Sequence, residues 1–196
     1  MPQIFLTFDD GPHPIYTPTI LEILNKYAVK ATFFVCGKNI EKYPKILEQI
    51  VKNKHSVGNH SYSHSRLLTF IGAFRREIER TTELILKITS LKTNLFRPPW
   101  GIRPPWLTRY LKRNGYQLVL WDIDPEDWQR IPAEKIASRV IEKAKDNCIV
   151  LLHDGDGIRQ KSSRENTVKA IPIIIEALVE KGYTFQRIPF SSKGIL

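Results

Sequence analysis

The chain has 196 residues, of which 42% are hydrophobic and 26% charged, and this composition is typical of one globular domain with a large buried core. Because no low-complexity tract, internal repeat or Gly/Ser-rich linker interrupts it, we expect a single domain over residues 1–196. The 30 Lys and Arg residues outnumber the 20 Asp and Glu, so the formal net charge is +10, which favours anionic partners. These basic residues are scattered along the chain without a nucleic-acid motif, so no specific nucleic-acid binding is predicted.

Targeting and redox signals are sparse. The start of the chain, MPQIFLTFDD, has neither the basic segment nor the long apolar segment of a signal peptide. No apolar run reaches membrane-spanning length, so we expect no membrane span. Cys36 and Cys148 lie in apolar runs without CxxC spacing, which predicts two buried free thiols.

Short apolar runs alternate with longer segments of helical periodicity along the chain. Predicted strands cover residues 4–8, 31–35, 56–59, 95–97, 117–122, 148–153 and 184–187. Predicted helices cover residues 17–29, 39–53, 71–89, 106–115, 131–145 and 167–182. Thr17 is the expected N-cap of the first helix, and Gly115 and Gly182 are expected to end two others. The alternation predicts an α/β fold with a mostly parallel sheet.

Chemically versatile side chains recur where the predicted strands end. In parallel sheets and barrels, functional sites gather at the carboxyl ends of the strands. Solvated surface residues would not be concentrated at strand ends in this way. The repeated position therefore predicts one shared site. The residues are Asp9 and Asp10 after the first strand, His60 after the third, Arg97 after the fourth, the acidic run 122–127 after the fifth and His153 after the sixth.

The segment NHSYSH places His60 and His64 four residues apart, the spacing at which two imidazoles on one helical turn face the same way and can share a metal. Alone, this pair is also compatible with histidines that have no ligand role. A carboxylate from Asp9 or Asp10 would complete a two-His, one-carboxylate set. Neighbouring strand residues point in opposite directions, so one aspartate can bind the metal while the other accepts a proton. A solvated turn is the alternative for the isolated DDGP.

Three other segments carry candidate functional groups. Arg97, in FRPPWG, can hold an aspartate ionised, although an ordinary surface turn is an equally valid interpretation of that motif alone. The run WDIDPEDW is either a solvated acidic loop or a wall for a sugar. His153 is either a buried structural histidine or a general acid. We expect His13 at the rim of the cleft, His55 in a structural role, and the loop 154–166 beside the cleft.

TFDDGP, HSYSH, RPPWG, DPEDW and LLH occur in this order between Thr7 and His153. Together they resemble the five motifs of the polysaccharide deacetylase family, also called the NodB-homology or carbohydrate esterase 4 family. The resemblance implies a single-domain distorted (β/α) barrel with seven or eight mostly parallel strands. It also implies one divalent metal ion, commonly Zn²⁺, with Co²⁺, Ni²⁺ or Mn²⁺ as alternatives.

The resemblance also assigns a role to each matching residue of the metal site. Asp10, His60 and His64 match the metal ligands. Asp9 matches the general base, and Arg97 matches the residue that holds this base in place.

The remaining matching residues surround the substrate. Trp100 stands where the family more often has tyrosine, whose backbone N–H stabilises the oxyanion. His153 matches the general acid and Asp127 the carboxylate that tunes it. Trp128 and Leu151 match the walls of the pocket that takes the acetyl methyl group. Because the oxyanion donor is a main-chain group, the tyrosine-to-tryptophan departure should not abolish activity.

The implied reaction is hydrolysis of the N-acetyl group of an N-acetylglucosamine-type residue in a peptidoglycan-like or chitin-like polymer or oligomer, with release of acetate. We expect a monomer, in the cell envelope or outside the cell if the substrate is a wall polymer. A non-catalytic carbohydrate-binding protein on the same fold is the alternative. A basic nucleic-acid-binding protein is a third hypothesis, which rests on net charge alone.

Overall fold

The computed structural model describes residues 1–71 and 73–189. Gly72, which the predicted helix 71–89 includes, lies outside the described residues. Each predicted strand is present, and the strands predicted over residues 95–97, 117–122 and 184–187 are shorter than predicted. The strands are β1 Gln3–Asp9, β2 Thr32–Val35, β3 Ser56–Asn59, β4 Leu95–Phe96, β5 Gln117–Leu118, β6 Cys148–His153 and β7 Thr184–Phe185. The helices are α1 Tyr16–Lys26, α2 Gly37–Lys42, α3 Pro44–Lys52, α4 Phe74–Thr89, α5 Pro105–Arg113, α6 Ala133–Lys143 and α7 Glu165–Glu180.

The strands form one curled sheet in the order β5-β4-β3-β2-β1-β6, and β7 pairs with the start of β1. Every strand pair in the described part of the chain is parallel. Beyond β5, Ile123 forms a parallel bridge with Val150 of β6, so the two ends of the strand order approach each other. This arrangement confirms the predicted distorted (β/α) barrel, with seven strands.

The two faces of β1 have different surroundings, and this difference places the site. Ile4, Leu6 and Phe8 are fully buried in the main hydrophobic core, together with apolar residues of the covering helices α1, α6 and α7. Burying each of these side chains contributes about 1.5–3 kcal/mol. Thr7 and Asp9 point to the opposite face, toward the interior of the curled sheet. The core therefore fixes the direction in which Asp9 points.

Two helix predictions are wrong in detail. The predicted helix 39–53 is two helices, α2 and α3, which meet at Tyr43 and Pro44. The clash between a proline ring and the preceding residue disfavours helical backbone there, and Tyr43 has a φ of −130° and a ψ of 56°. Thr17 is not an N-cap, because α1 begins at Tyr16 and its N-cap is Ile15.

Other local predictions are confirmed. Gly115 and Gly182 follow the ends of α5 and α7 with φ values of +72° and +82°, the left-handed backbone typical of helix ends. Cys36 and Cys148 are buried free thiols. None of the helices in the described residues has both the length and the apolar character needed to cross a membrane.

Candidate active site

The two adjacent carboxylates at the end of β1 have different partners. Asp9 Oδ1 accepts a hydrogen bond from Arg97 Nη1 at 2.7 Å. Asp10 Oδ1 lies 3.0 Å from His64 Nε2 and 3.4 Å from His60 Nε2. Asp10 has a positive φ of 77°, so the chain turns sharply as it leaves the strand. The pair is therefore divided between a buried guanidinium and two imidazoles, which offsets the repulsion between the carboxylates.

His60 and His64 reach one side of Asp10 from an irregular turn. The expectation that they share a helical turn is wrong, because Ser61 and His64 have positive φ values of 66° and 51°. The Nδ1 atom of His60 lies 2.8 Å from the Arg97 carbonyl oxygen, and an N–H···O bond there leaves Nε2 facing Asp10. The ring centroids of His60 and His64 are 5.1 Å apart.

This cluster fits a divalent cation. One ligand atom from each of Asp10, His60 and His64 lies within 4.8 Å of the other two. Burial alone would raise the pKa of Asp10, but the charge of His64 and the hydrogen bonds of His60 and His64 hold it well below its usual range, so the carboxylate is ionised. Two imidazole nitrogens and one carboxylate oxygen form a donor set that suits zinc and similar borderline ions. The described residues therefore contain a possible metal site.

Arg97 lies inside the curled sheet, where it is fully buried, and not in a surface turn. Its Nη1 donates to Thr7 Oγ1 as well as to Asp9, and its Nη2 donates to the Leu120 carbonyl oxygen at 2.9 Å. Burial lowers the Arg97 pKa, and the charge and hydrogen bond of Asp9 oppose this effect. Because Asp9 faces a fixed cation, its carboxylate has one orientation, with Oδ2 3.7 Å from His60 Nε2.

His153 and Asp127 form a second buried pair at the end of β6. The imidazole Nδ1 lies 2.7 Å from Asp127 Oδ1, and the His153 backbone N–H donates to Asp127 Oδ2. Thr167 also donates its hydroxyl to Oδ2. Burial would lower the pKa of His153, but the charge and hydrogen bond of Asp127 and the charges of Asp10 and Asp9 raise it to about 9. His153 is therefore a protonated group near Asp9 and Asp10 below a pH of about 9.

Aromatic and aliphatic side chains form the walls of the cleft. The cleft has a volume of about 900 Å³ and is lined by Asp9, Asp10, His60, His64 and His153 together with Trp100, Trp121, Trp128 and Leu151. Trp100 and Trp128 are half exposed, whereas Leu151 is buried. The Trp100 ring lies 4.2 Å from the His64 ring. The structure therefore places every predicted site residue in the cleft or, for Arg97 and Asp127, in contact with a residue that lines it.

The backbone at Trp100 is unusual for a bulky residue. It has a φ of 54° and a ψ of 16°, in the left-handed region that costs such residues about 1–2 kcal/mol. Within the described residues, the Trp100 N–H finds no intrachain acceptor. This strained turn therefore leaves a backbone donor available beside the metal site.

Sequence reasoning missed several residues that support the site. Asn39 donates both hydrogens of its amide, to the carbonyl oxygens of Asp10 and Gly157, and so links the loops after β1 and β6. A Cβ atom on Gly155 would lie 2.4 Å from the Asp10 carbonyl oxygen, so only glycine fits there. Asp154 is buried and accepts a hydrogen bond from Thr17. The only sequence signal for a supporting role was the position of residues 154–157, which directly follow His153.

The other two histidines do not contribute to the cleft. His13 was expected at its rim, and this is wrong: the side chain is buried, and its Nδ1 accepts N–H groups from Ile15 and Tyr16 at the start of α1. It serves as a helix cap because a buried ring nitrogen needs donors, and the free N–H groups of a helix start supply them. His55 is structural, as expected: its Nδ1 accepts the Ala31 N–H. The loop 154–166 lines the cleft, also as expected.

Comparison with known proteins agrees with this geometry. The family model described as Polysaccharide deacetylase matches residues 1–119. The chain belongs to the polysaccharide deacetylase family. A peptidoglycan-N-acetylglucosamine deacetylase of Bacillus cereus is 36% identical over 190 residues, which cover 93% of this chain and 84% of the relative. A chitooligosaccharide deacetylase of Azorhizobium caulinodans is 30% identical over 195 residues, covering 95% and 93%.

The fold of this family member also matches a solved relative. The crystal structure of the Bc1960 peptidoglycan N-acetylglucosamine deacetylase superposes with a TM-score of 0.89 at 32% sequence identity. The match covers 95% of this chain and 86% of that one. The relatives thus include enzymes named for two acetylated sugar substrates, peptidoglycan and chitooligosaccharides.

Proposed function

We propose that this chain is a metal-dependent hydrolase that removes N-acetyl groups from N-acetylglucosamine-type residues of a polysaccharide or oligosaccharide and releases acetate. The observation that carries the proposal is the pairing of Asp9 with His153 across β1 and β6, beside the cluster of Asp10, His60 and His64. A carboxylate held in place by Arg97 and an imidazole whose pKa is raised to about 9 thus line one cleft. Amide hydrolysis needs such a pair, because water must lose a proton and the amine must gain one.

Asp10, His60 and His64 would hold the cation, with Zn²⁺ as the proposed ion and Co²⁺, Ni²⁺ or Mn²⁺ as alternatives. When bound, a divalent ion polarises a carbonyl group and makes water more acidic. Asp9, oriented by Arg97, accepts the proton of the attacking water.

His153 then donates its proton to the departing nitrogen, since an amine is a poor leaving group until it is protonated. Asp127 orients the imidazole through Nδ1, which leaves Nε2 to face the substrate. Trp100 offers its free backbone N–H to the oxyanion. Trp128 and Leu151 form the apolar walls for the acetyl methyl group.

The substrate class follows from the relatives together with the cleft. An acetylated amino-sugar polymer or oligomer, of the peptidoglycan or chitin type, is the proposed partner. We also propose that residues 1–196 form one NodB-homology domain that acts as a monomer, and that it works in the cell envelope or outside the cell if its substrate is a wall polymer.

The decisive test measures acetate release and zinc binding together. We expect the zinc-loaded protein to release acetate from peptidoglycan fragments or chitooligosaccharides. Asp9→Asn should lower kcat by about 10²–10⁴-fold, because the proton acceptor is lost. Its zinc dissociation constant should stay close to that of the wild type, since Asp9 is not a proposed ligand.

The matched variant is Asp10→Asn, the same change at the neighbouring residue, which should lose zinc as well as activity. Undiminished turnover in Asp9→Asn would refute its role as the base. Sugar binding without any acetate release by the wild type would favour the carbohydrate-binding alternative.

A further inference from the structure

Two arginines lie on different loops of the cleft and have no carboxylate partner. Arg66 follows the turn that carries His64, and Arg159 lies in the loop after β6. Both are exposed and both line the cleft. Neither forms an ion pair or a side-chain hydrogen bond with another residue in the part of the chain that the structure describes. Their guanidinium groups are therefore available to a ligand.

The acidic residues of the cleft do not neutralise these arginines. Asp124 accepts the Glu126 backbone N–H at 2.7 Å, and Asp156 accepts the Ser162 hydroxyl at 2.8 Å. Asp9 is paired with the buried Arg97, and Asp10 belongs to the proposed metal site. The four carboxylates thus have other partners.

A third arginine adds positive charge at the base of the cleft. Arg164 is 3% exposed and donates its Nε to the Gly155 carbonyl oxygen at 2.6 Å. Its Nη1 is buried and has no hydrogen-bond partner among the described residues. A buried cation is poorly screened by solvent, so its field extends into the cleft. Arg66, Arg159 and Arg164 therefore place three positive charges along the cleft.

We propose that Arg66 and Arg159 bind carboxylates of the sugar chain, so that the enzyme prefers anionic acetylated polymers to neutral ones. This inference rests on the proposed deacetylase activity. In peptidoglycan, each N-acetylglucosamine has a neighbour that carries a lactyl carboxylate or a peptide attached to it, whereas chitin carries no charge. The planar guanidinium matches a carboxylate with two parallel N–H···O bonds. The arginines thus distinguish the two substrate classes represented among the relatives.

The test compares two substrates with the same sugar backbone, of which only one carries negative charge. One is a tetrasaccharide of alternating N-acetylglucosamine and N-acetylmuramic acid with free lactyl carboxylates, and the other is the same tetrasaccharide with those carboxylates converted to methylamides. We expect kcat/KM for the free acid to exceed that for the amide by about three- to tenfold, the effect of two partly exposed ion pairs. The preference should shrink in 0.5 M salt, because salt screens such pairs.

Arg66→Gln/Arg159→Gln should bring the ratio of the two kcat/KM values close to one. The ratio is taken within each variant, so a general loss of activity does not affect it. The matched control is Arg109→Gln/Arg113→Gln, which removes the same charge from exposed positions on α5 that do not line the cleft. The control should keep the wild-type ratio.

The outcomes separate this inference from the proposed function. Acetate release from both substrates with a wild-type ratio near one overturns the inference and leaves the deacetylase assignment intact. A ratio that persists in Arg66→Gln/Arg159→Gln, or that falls equally in the α5 control, also overturns it. No acetate from either tetrasaccharide or from chitotetraose would instead refute the proposed function.

Discussion

The side chains of Asp9 and Asp10 illustrate how adjacent residues acquire different chemistry. The strand ends between them, so Asp9 faces Arg97 inside the sheet and Asp10 faces the two histidines. Each carboxylate therefore has its own partners: Arg97 for Asp9, and the two histidines for Asp10, which hold the Asp10 pKa well below its usual range.

Asp127 should set the pH range over which His153 can act as the proposed general acid. The pKa of His153 is raised to about 9, so the imidazole is protonated below that pH and loses its proton above it. Activity that needs this proton should therefore fall as pH rises through about 9. Asp127→Asn removes the charge that raises the pKa, and the fall in kcat/KM should begin about one to three pH units lower.

The measurement is the pH dependence of acetate release by the zinc-loaded protein. Glu126→Gln is the matched control, because it removes a carboxylate from the neighbouring residue, which pairs with Arg139 instead of His153. An alkaline limb that does not move in Asp127→Asn, or that moves equally in the control, would contradict the role given to Asp127.

The sequence identified the residues that the structure brings together in the candidate site more completely than the residues that position them. Asp10, His60 and His64 belong to motifs with characteristic residue types, and the structure brings them within ligand distance of one another. Asn39 could not be identified, because an asparagine in a helix has no pattern that shows which carbonyl groups its amide will reach. His13 was misplaced because its loop begins at the site and then turns inward.

At the scale of elements, the turn after β6 determines how closely two loops can approach. Gly155 packs against the main chain of Asp10, and a Cβ atom there would overlap the carbonyl carbon and oxygen. Gly155→Ala should therefore displace the loop that carries a proposed ligand. We expect its zinc dissociation constant to rise about 10–100-fold, as for changes beside a ligand, in competition with a chromogenic chelator.

Gly115→Ala provides the comparison. No atom lies within 4 Å of the position of its Cβ, but its φ is +72°, so alanine should cost about 1–2 kcal/mol of stability. Its zinc affinity should match that of the wild type. Equal zinc binding by Gly155→Ala and the wild type would show that this turn does not position Asp10.

Element boundaries were less predictable than element types. Periodicity identified a helix over residues 39–53 but not its division at Pro44, because the apolar pattern continues across the break. The HxxxH spacing suggested a helical turn. Ser61 and His64 instead have positive φ values, and this irregular turn also brings the two imidazoles to the same side of Asp10. Such backbone choices depend on contacts with distant loops, which local sequence does not record.

For the whole molecule, one buried carboxylate should shape the dependence of stability on pH. Burial, with smaller effects from Asp10 and Asp9, raises the pKa of Asp154 to about 7, whereas its unfolded value is about 4. Between these values the folded state holds a proton that the unfolded state has released. The contribution of Asp154 to the free energy of unfolding should therefore decrease as pH rises from about 4 to about 7.

Asp154→Asn removes this titration. Relative to wild type, the variant should become progressively more stable between pH 4 and pH 7, measured by urea unfolding of chelator-treated protein. Glu22→Gln, at an exposed position on α1, serves as the control for loss of one negative charge. A stability difference between Asp154→Asn and wild type that is constant with pH would contradict this account.

The guanidinium of Arg97 both orients a proposed catalytic residue and links separate parts of the barrel. It bonds to Thr7 and Asp9 of β1 and to the Leu120 carbonyl oxygen in the segment that crosses from β5 toward β6. A variant that is inactive but still folded should therefore be made by substituting His153 and keeping Arg97. Replacing Arg97 would leave the buried Asp9 carboxylate without its partner and remove the hydrogen bonds that link β1 to the segment around Leu120. The variant would therefore lose stability as well as activity.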